Sequence, residues 1–298
     1  MPTHQLELWH AVVLGLVEGI TEFLPISSTG HLILASALMK LNDPARKEAI
    51  DAFMIVIQGG AILAVMTLYW PSVVRMLKGL VGKDAKGLSL LVNLFVAFLP
   101  AAVIGLALDK IIEAKLFHAG PVLGALIVGG FFMIILDRWR EGRLSTPKFH
   151  TSETTDVFDV SVKQAFFIGC MQVLAMWPGT SRSMMTIAGG VMAGLRPKQA
   201  AEFSFLLGLP TLGAATLYKL AKNLKHAHDT GGENMFQKLG VLPVVVGIIV
   251  AAISAAIAVK WLVGFLNKHG LSPFGWYRIV LAIVLFVLLS QGILEIAK

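Results

Sequence analysis

Glu18 and Glu22 stand four residues apart in the string Glu18-Gly-Ile-Thr-Glu22-Phe-Leu-Pro25-Ile-Ser27-Ser28-Thr29-Gly-His31. On a helix, residues four apart share one face. Two carboxylates aimed at one point repel unless a cation lies between them. A hard divalent ion, Mg²⁺ or Ca²⁺, suits such an all-oxygen set. Ser28 and His31 follow in the same string, three residues apart. A hydroxyl beside an imidazole and two carboxylates supplies a nucleophile with acid–base partners. The expected catalytic residues are therefore Ser28, His31, Glu22 and Glu18, with Glu18 and Glu22 also the expected metal ligands. Spacing alone leaves open whether Ser28 or His31 attacks.

A second string, Trp177-Pro178-Gly179-Thr180-Ser181-Arg182-Ser183, adds a guanidinium. Arginine grips phosphate through two parallel hydrogen bonds. Ser27, Thr29, Ser181 and Ser183 sit where new helices would begin, beside prolines that end the previous ones. A helix N-terminus offers free N–H groups and a positive dipole end, both suited to phosphate. Arg182, Ser27, Thr29, Ser181 and Ser183 are the expected phosphate-binding set, shaped for a diphosphate. Arg278 is read either as part of this site or as one half of a buried ion pair with Glu202.

These polar groups sit in a chain that is otherwise membrane-grade. Of its 298 residues 56% are hydrophobic and only 14% charged. A soluble domain carries about 25% charged residues. Mean hydropathy is +0.76. The expected fold class is an all-α polytopic membrane protein. A charge near the bilayer centre costs about 2.5–3.5 kcal/mol on insertion scales. The buried carboxylates and the arginine therefore need one another or a ligand. The net charge of +7 is spread over loops, as it is around membrane spans, and does not point to nucleic acid. The lone Cys170 excludes an internal disulfide and a thiolate cluster. No cleaved signal peptide is expected, because Glu18 interrupts the first apolar run.

Spanning takes about 20 apolar residues. Segments 53–70, 88–108, 119–136, 200–218, 240–262 and 274–294 qualify. Two further apolar regions are broken: 8–24 from 27–40 at Pro25, and 164–177 from 182–194 at Pro178-Gly179. Each half is too short to span, so each pair reads as a re-entrant hairpin with its tip inside the protein. Pro25-Ile-Ser27-Ser28 pairs with Pro178-Gly179-Thr180-Ser181 as an internal repeat. The chain is then one membrane domain, 1–298, with repeat 1 over about 8–137 and repeat 2 over about 163–296. Each repeat is one hairpin plus three spans. Three is odd, so the second repeat enters from the opposite side, an inverted-topology repeat with both tips near the midplane. Lys and Arg favour the side holding loops 71–87 and 137–163, which places those loops in the cytoplasm. Gln172 stands near the second-half counterpart of Glu18, so one site is expected, not two.

The strings E-G-I-T-E-F-L-P-I-S-S-T-G-H and P-G-T-S-R-S-M-M-T, with F-S-F-L-L at 203–207, resemble bacterial undecaprenyl-pyrophosphate phosphatases of the bacitracin-resistance type. The resemblance runs over essentially the whole chain. It implies hydrolysis of a C55 polyprenyl diphosphate to the monophosphate carrier used in peptidoglycan synthesis. It further implies bacitracin resistance, a divalent cation (Mg²⁺ or Ca²⁺), and a site open to the outer face of the cytoplasmic (inner) membrane. By position it makes Glu18 and Glu22 metal or acid–base carboxylates, Ser28 and His31 the catalytic pair, and Arg182 the phosphate clamp. The expected partners are undecaprenyl diphosphate and membrane lipid, with room for a homodimer and no nucleic acid. The alternative is a lipid-phosphate transporter or flippase, since inverted repeats with broken helices also build transporters.

Overall fold

The computed structural model describes residues 6–41, 44–116, 118–142 and 156–292. Among these residues the regular elements are helices. The first broken pair is α1 (Leu8–Thr21) and α2 (Ser28–Leu38). It is followed by α3 (Pro44–Val56), α4 (Gln58–Leu68), α5 (Trp70–Leu80), α6 (Ala85–Leu116) and α7 (Ala119–Arg140). A 3₁₀ turn at Val157–Asp159 leads to the second broken pair, α8 (Val162–Leu174) and α9 (Arg182–Met192). Then come α10 (Pro197–Thr230), α11 (Met235–Leu239), α12 (Val241–His269) and α13 (Ser272–Ser290).

Six helical segments are long and apolar enough to cross a membrane: Ala49–Leu68, Ala85–Leu108, Ala119–Arg140, Pro197–Thr230, Val241–His269 and Ser272–Ser290. They coincide with the six expected spans, and the chain is a multi-pass membrane protein. The expected ends of the last span at 294 and of repeat 2 at 296 lie outside the described residues, as does most of the 137–163 loop. Two expectations need correcting. Segment 71–87 is not simply a loop, because α5 fills most of it, opened by Pro71 in its first turn. The span expected to end at 218 continues as helix to Thr230. The apolar pattern stops at Tyr218, whereas the helix carries on with polar residues.

Small residues let the short helices dock. A β-carbon on Gly15 of α1 would lie 2.6 Å from the Gly247 carbonyl of α12, and one on Gly19 would strike Ala251 O and Ser254 Oγ. Gly15 and Gly19 form a small-xxx-small stripe, and Gly247, Ala251 and Ala255 form its partner on α12. In an apolar solvent such close backbone approach is a main source of helix association. Gly169 of α8 meets the Ala97 carbonyl of α6 in the same manner. Thus α1 lies along α12 and α8 along α6, while α7 packs against α13. Between α5 and α6, Asp84 caps Gly87 N–H at 2.8 Å and pairs with Arg75. The Arg75 hydrogen bond, helped by the capped amide, holds the Asp84 carboxyl down at about 2.

The two broken pairs share a local geometry. α2 and α9 are both 11 residues long. Each begins at a serine with positive φ, Ser27 at 73° and Ser181 at 77°. Each cap serine accepts from the amide three residues on, Gly30 N at 3.4 Å and Met184 N at 3.3 Å. Each helix closes with the same C-terminal bonds, Leu41 N to Ser36 O and Leu195 N to Gly190 O, both 2.9 Å. Ser27 therefore corresponds to Ser181, and Ser28 to Arg182. The prolines suggest a pairing one residue away, because the second break is one residue longer than the first.

Candidate active site

The two breaks meet in the interior. Ser183 is fully buried, and its hydroxyl donates to Leu24 O across the breaks at 2.9 Å. Ser28, the first residue of α2, donates its hydroxyl to Glu22 Oε2 at 2.7 Å. Arg182, the first residue of α9, donates Nη2 to Glu22 Oε1 at 3.0 Å and Nη1 to Ser204 O at 2.9 Å. Glu22 thus joins the two half-helix N-termini. Its side chain is 5% exposed and that of Arg182 13%. The guanidinium carbon also lies 5.5 Å from the Phe23 ring centroid, within cation–π range. Gly208 leaves the space it occupies, since a β-carbon there would sit 3.3 Å from Nη1.

A cavity of about 140 Å³ opens above this junction. Its lining includes Glu22, Ser27, Ser28, Thr29, Ser181 and Arg182. So the structure brings together, around one small volume, most of the side chains expected to bind phosphate. Ser183 serves elsewhere, tying the second break to Leu24 O and lying 3.1 Å from Ser181 Oγ. Glu18 lies beneath, fully buried. Neither of its oxygens finds an N–H or O–H donor, and the carboxyl facing it is that of Glu22.

The hydrogen bonds of the His31 ring run to groups other than the Ser28 hydroxyl. Its Nδ1 lies 2.7 Å from Ser27 O and its Nε2 2.7 Å from the Tyr277 hydroxyl. Arg278, fully buried, is not paired with Glu202. It donates to four backbone carbonyls: Thr180 O and Gly179 O of the second break, and Ala125 O and Leu126 O of α7. Gly179 has φ of 92° and a β-carbon there would meet Val122 O at 2.7 Å, so a side chain would push the break off α7. Trp177 Nε1 pins the same break to Pro121 O at 3.0 Å.

Sequence reasoning did not single out Tyr277, Ser204 or Gln58, which also lines the cavity. They are neutral residues inside apolar spans, far along the chain from the residues they meet. Only the position of Tyr277 beside the intramembrane Arg278 marked it.

Residues 11–284 match the family described as Bacitracin resistance protein BacA. The chain belongs to this family. Proteins named undecaprenyl-diphosphatase are similar over nearly all of it. That of Sorangium cellulosum is 45% identical, covering 93% of this chain and 85% of its own length. That of Deinococcus deserti is 42% identical, covering 96% and 97%. That of Nitrosomonas europaea is 42% identical, covering 97% of each.

Proposed function

We propose that the chain is an undecaprenyl-diphosphatase of the cytoplasmic (inner) membrane, removing the terminal phosphate of a polyprenyl diphosphate. The observation that carries this is the Ser28–Glu22–Arg182 junction, with contacts of 2.7 and 3.0 Å at two helix N-termini. The N–H groups opening α2 and α9, with Arg182, receive the terminal phosphoryl oxygens. Glu22 Oε2 takes the proton as Ser28 Oγ attacks phosphorus. The anhydride P–O bond breaks, the polyprenyl monophosphate leaves carrying the proton that Glu22 took, and the phosphoryl group resides on Ser28. Water then attacks the phosphoserine with Glu22, ionised again, as base; the Oγ–P bond breaks, phosphate is released, and Glu22 passes the proton to Ser28 Oγ to restore the hydroxyl. The 2.7 Å hydrogen bond from Ser28 to Glu22 Oε2 supports Glu22 as the base, with His31 acting on the neighbouring peptide.

The donor set fits a hard divalent cation. Glu18 presents two buried oxygens without a donor, opposite a second carboxylate. Glu18 and Glu22 would hold the ion, and when bound it would neutralise charge on the phosphates. All the named groups come from one chain, so a homodimer is not needed to complete the site.

An inverted-topology repeat explains the paired geometry of the breaks. The matching Ser27 and Ser181 caps, and the reciprocal docking of α1 on α12 and α8 on α6, support it. Both hairpins are then re-entrant, with tips meeting at the site. The site faces the outer leaflet, and loops such as 81–84 face the cytoplasm.

The test is a rapid quench with terminally labelled substrate and purified protein in detergent. Label on an acid-stable phosphoserine, lost in Ser28→Ala, is the expected result. Acid-labile label would move the nucleophile to His31. Absence of label with normal turnover would argue for direct attack by water.

A further inference from the structure

The first break is braced by α13. A carbonyl only accepts, so His31 Nδ1 carries a proton and donates it to Ser27 O. In the neutral ring Nε2 is then an acceptor, and the Tyr277 hydroxyl donates to it. The two rings lie parallel, 6° apart in plane, with centroids 5.6 Å apart. The carbonyl at the far end of this chain belongs to Ser27, whose φ of 73° and ψ of 95° are strained for a residue with a side chain. Such a conformation persists only where its surroundings hold it. The peptide so held is the one that carries Ser28. The next residue of α13, Arg278, holds the other break through the carbonyls of Gly179 and Thr180. Two consecutive residues of one helix therefore grip both tips.

We propose that Tyr277 is a positioning residue of the phosphatase reaction. Its hydroxyl fixes the His31 ring, the ring fixes the Ser27 carbonyl, and the Ser27–Ser28 peptide thereby aims the Ser28 hydroxyl at phosphorus. Tyr277 itself lines no part of the cavity named above, and 46% of its surface is exposed. The proposal rests on the reading of Ser28, Glu22 and Arg182 as the site.

The experiment compares Tyr277→Phe, His31→Gln, the double variant and Ser28→Ala, each purified in detergent and assayed for phosphate release. Phenylalanine keeps the stacked ring and deletes only the hydroxyl. In Tyr277→Phe, kcat falls about tenfold, the scale of one lost hydrogen bond, while KM stays within about twofold. The double variant is no worse than His31→Gln alone, because the hydroxyl acts through the ring. The His31 Nε2 resonance, identified in ¹⁵N-histidine-labelled protein by its loss in His31→Gln, shifts in Tyr277→Phe. A wild-type kcat in Tyr277→Phe, losses that add in the double variant, or an unmoved Nε2 resonance would overturn the proposal. An inactive Ser28→Ala beside a normal Tyr277→Phe sinks this inference alone. A fully active Ser28→Ala sinks the site reading with it.

Discussion

Arg182 and Arg278 are both guanidiniums inside a membrane protein, the first half-buried and the second fully buried, yet their partners give them different work. Arg182 faces a carboxylate and a cavity, with one carbonyl to steady it. Arg278 faces four carbonyls and no carboxylate. Arg182→Lys should keep the fold and the charge but lose the planar fork. Its phosphate release should drop at least about 10²-fold, as when an oxyanion donor is removed, with the melting temperature nearly unchanged. Arg278→Leu should instead lower the melting temperature, because each carbonyl left unsatisfied costs about 1–3 kcal/mol. Thermal unfolding in detergent, run beside the phosphate assay, separates the two. If Arg182→Lys melts early and Arg278→Leu does not, the assignments are reversed. The carboxylates carry their own test. EDTA should abolish turnover, Mg²⁺ or Ca²⁺ should restore it, and Glu22→Gln should remain inactive under all three conditions. Full activity in excess chelator would remove the metal from the mechanism. The residues that meet at the cavity were legible in the sequence because charge and hydroxyls are conspicuous in an apolar chain. The partners of Arg278 were not, because they are backbone carbonyls, which every residue possesses.

At the scale of elements, packing depends on where β-carbons are missing. Gly19 has no room for one, since Ala251 O and Ser254 Oγ occupy the place. Gly124 has nothing within 4 Å of it. Gly19→Ala should therefore force α1 away from α12 and cost about 1–3 kcal/mol, the usual range for overpacking. Gly124→Ala should be neutral or slightly stabilising, given alanine's better helix propensity. Equal melting temperatures for the two variants would contradict the α1–α12 docking. Hydropathy and proline made the six spans and two breaks readable. They missed α5, because Arg75 and Lys78 look like loop residues until the amphipathic spacing is seen on a helix. They missed the α3–α4 junction at Ile57, where no proline marks the interruption. Pairing the breaks by their prolines differs by one residue from pairing them by their serine caps, because proline marks where a helix ends, whereas the serine cap marks where the next begins.

Over the whole molecule, the two halves use one local design for different chemistry. Ser28 and Arg182 occupy the same first position of matching half-helices, one donating a hydroxyl and the other a guanidinium to Glu22. Glu18 has Gln172 as its counterpart, a neutral amide 3% exposed that donates to Ala97 O. The second break carries a cation, Arg182, where the first carries carboxylates, and the two tips meet through its bond to Glu22. An inverted repeat predicts that the tips approach from opposite faces of the membrane, which makes topology the decisive global measurement. Lys83, between α5 and α6, and Glu233, between α10 and α11, are both exposed, and each lies between the first and second spans after its broken pair. An inverted repeat with three spans per half predicts that they lie on opposite sides. The native Cys170 is exposed and must first become alanine. Single cysteines at positions 83 and 233 should then label differently with an impermeant thiol reagent applied to intact cells: Glu233→Cys reacts from outside, and Lys83→Cys only after lysis. Equal labelling of the two before lysis would rule out the inverted repeat in its single orientation, and with it the convergence of the two tips that places Arg182 on Glu22.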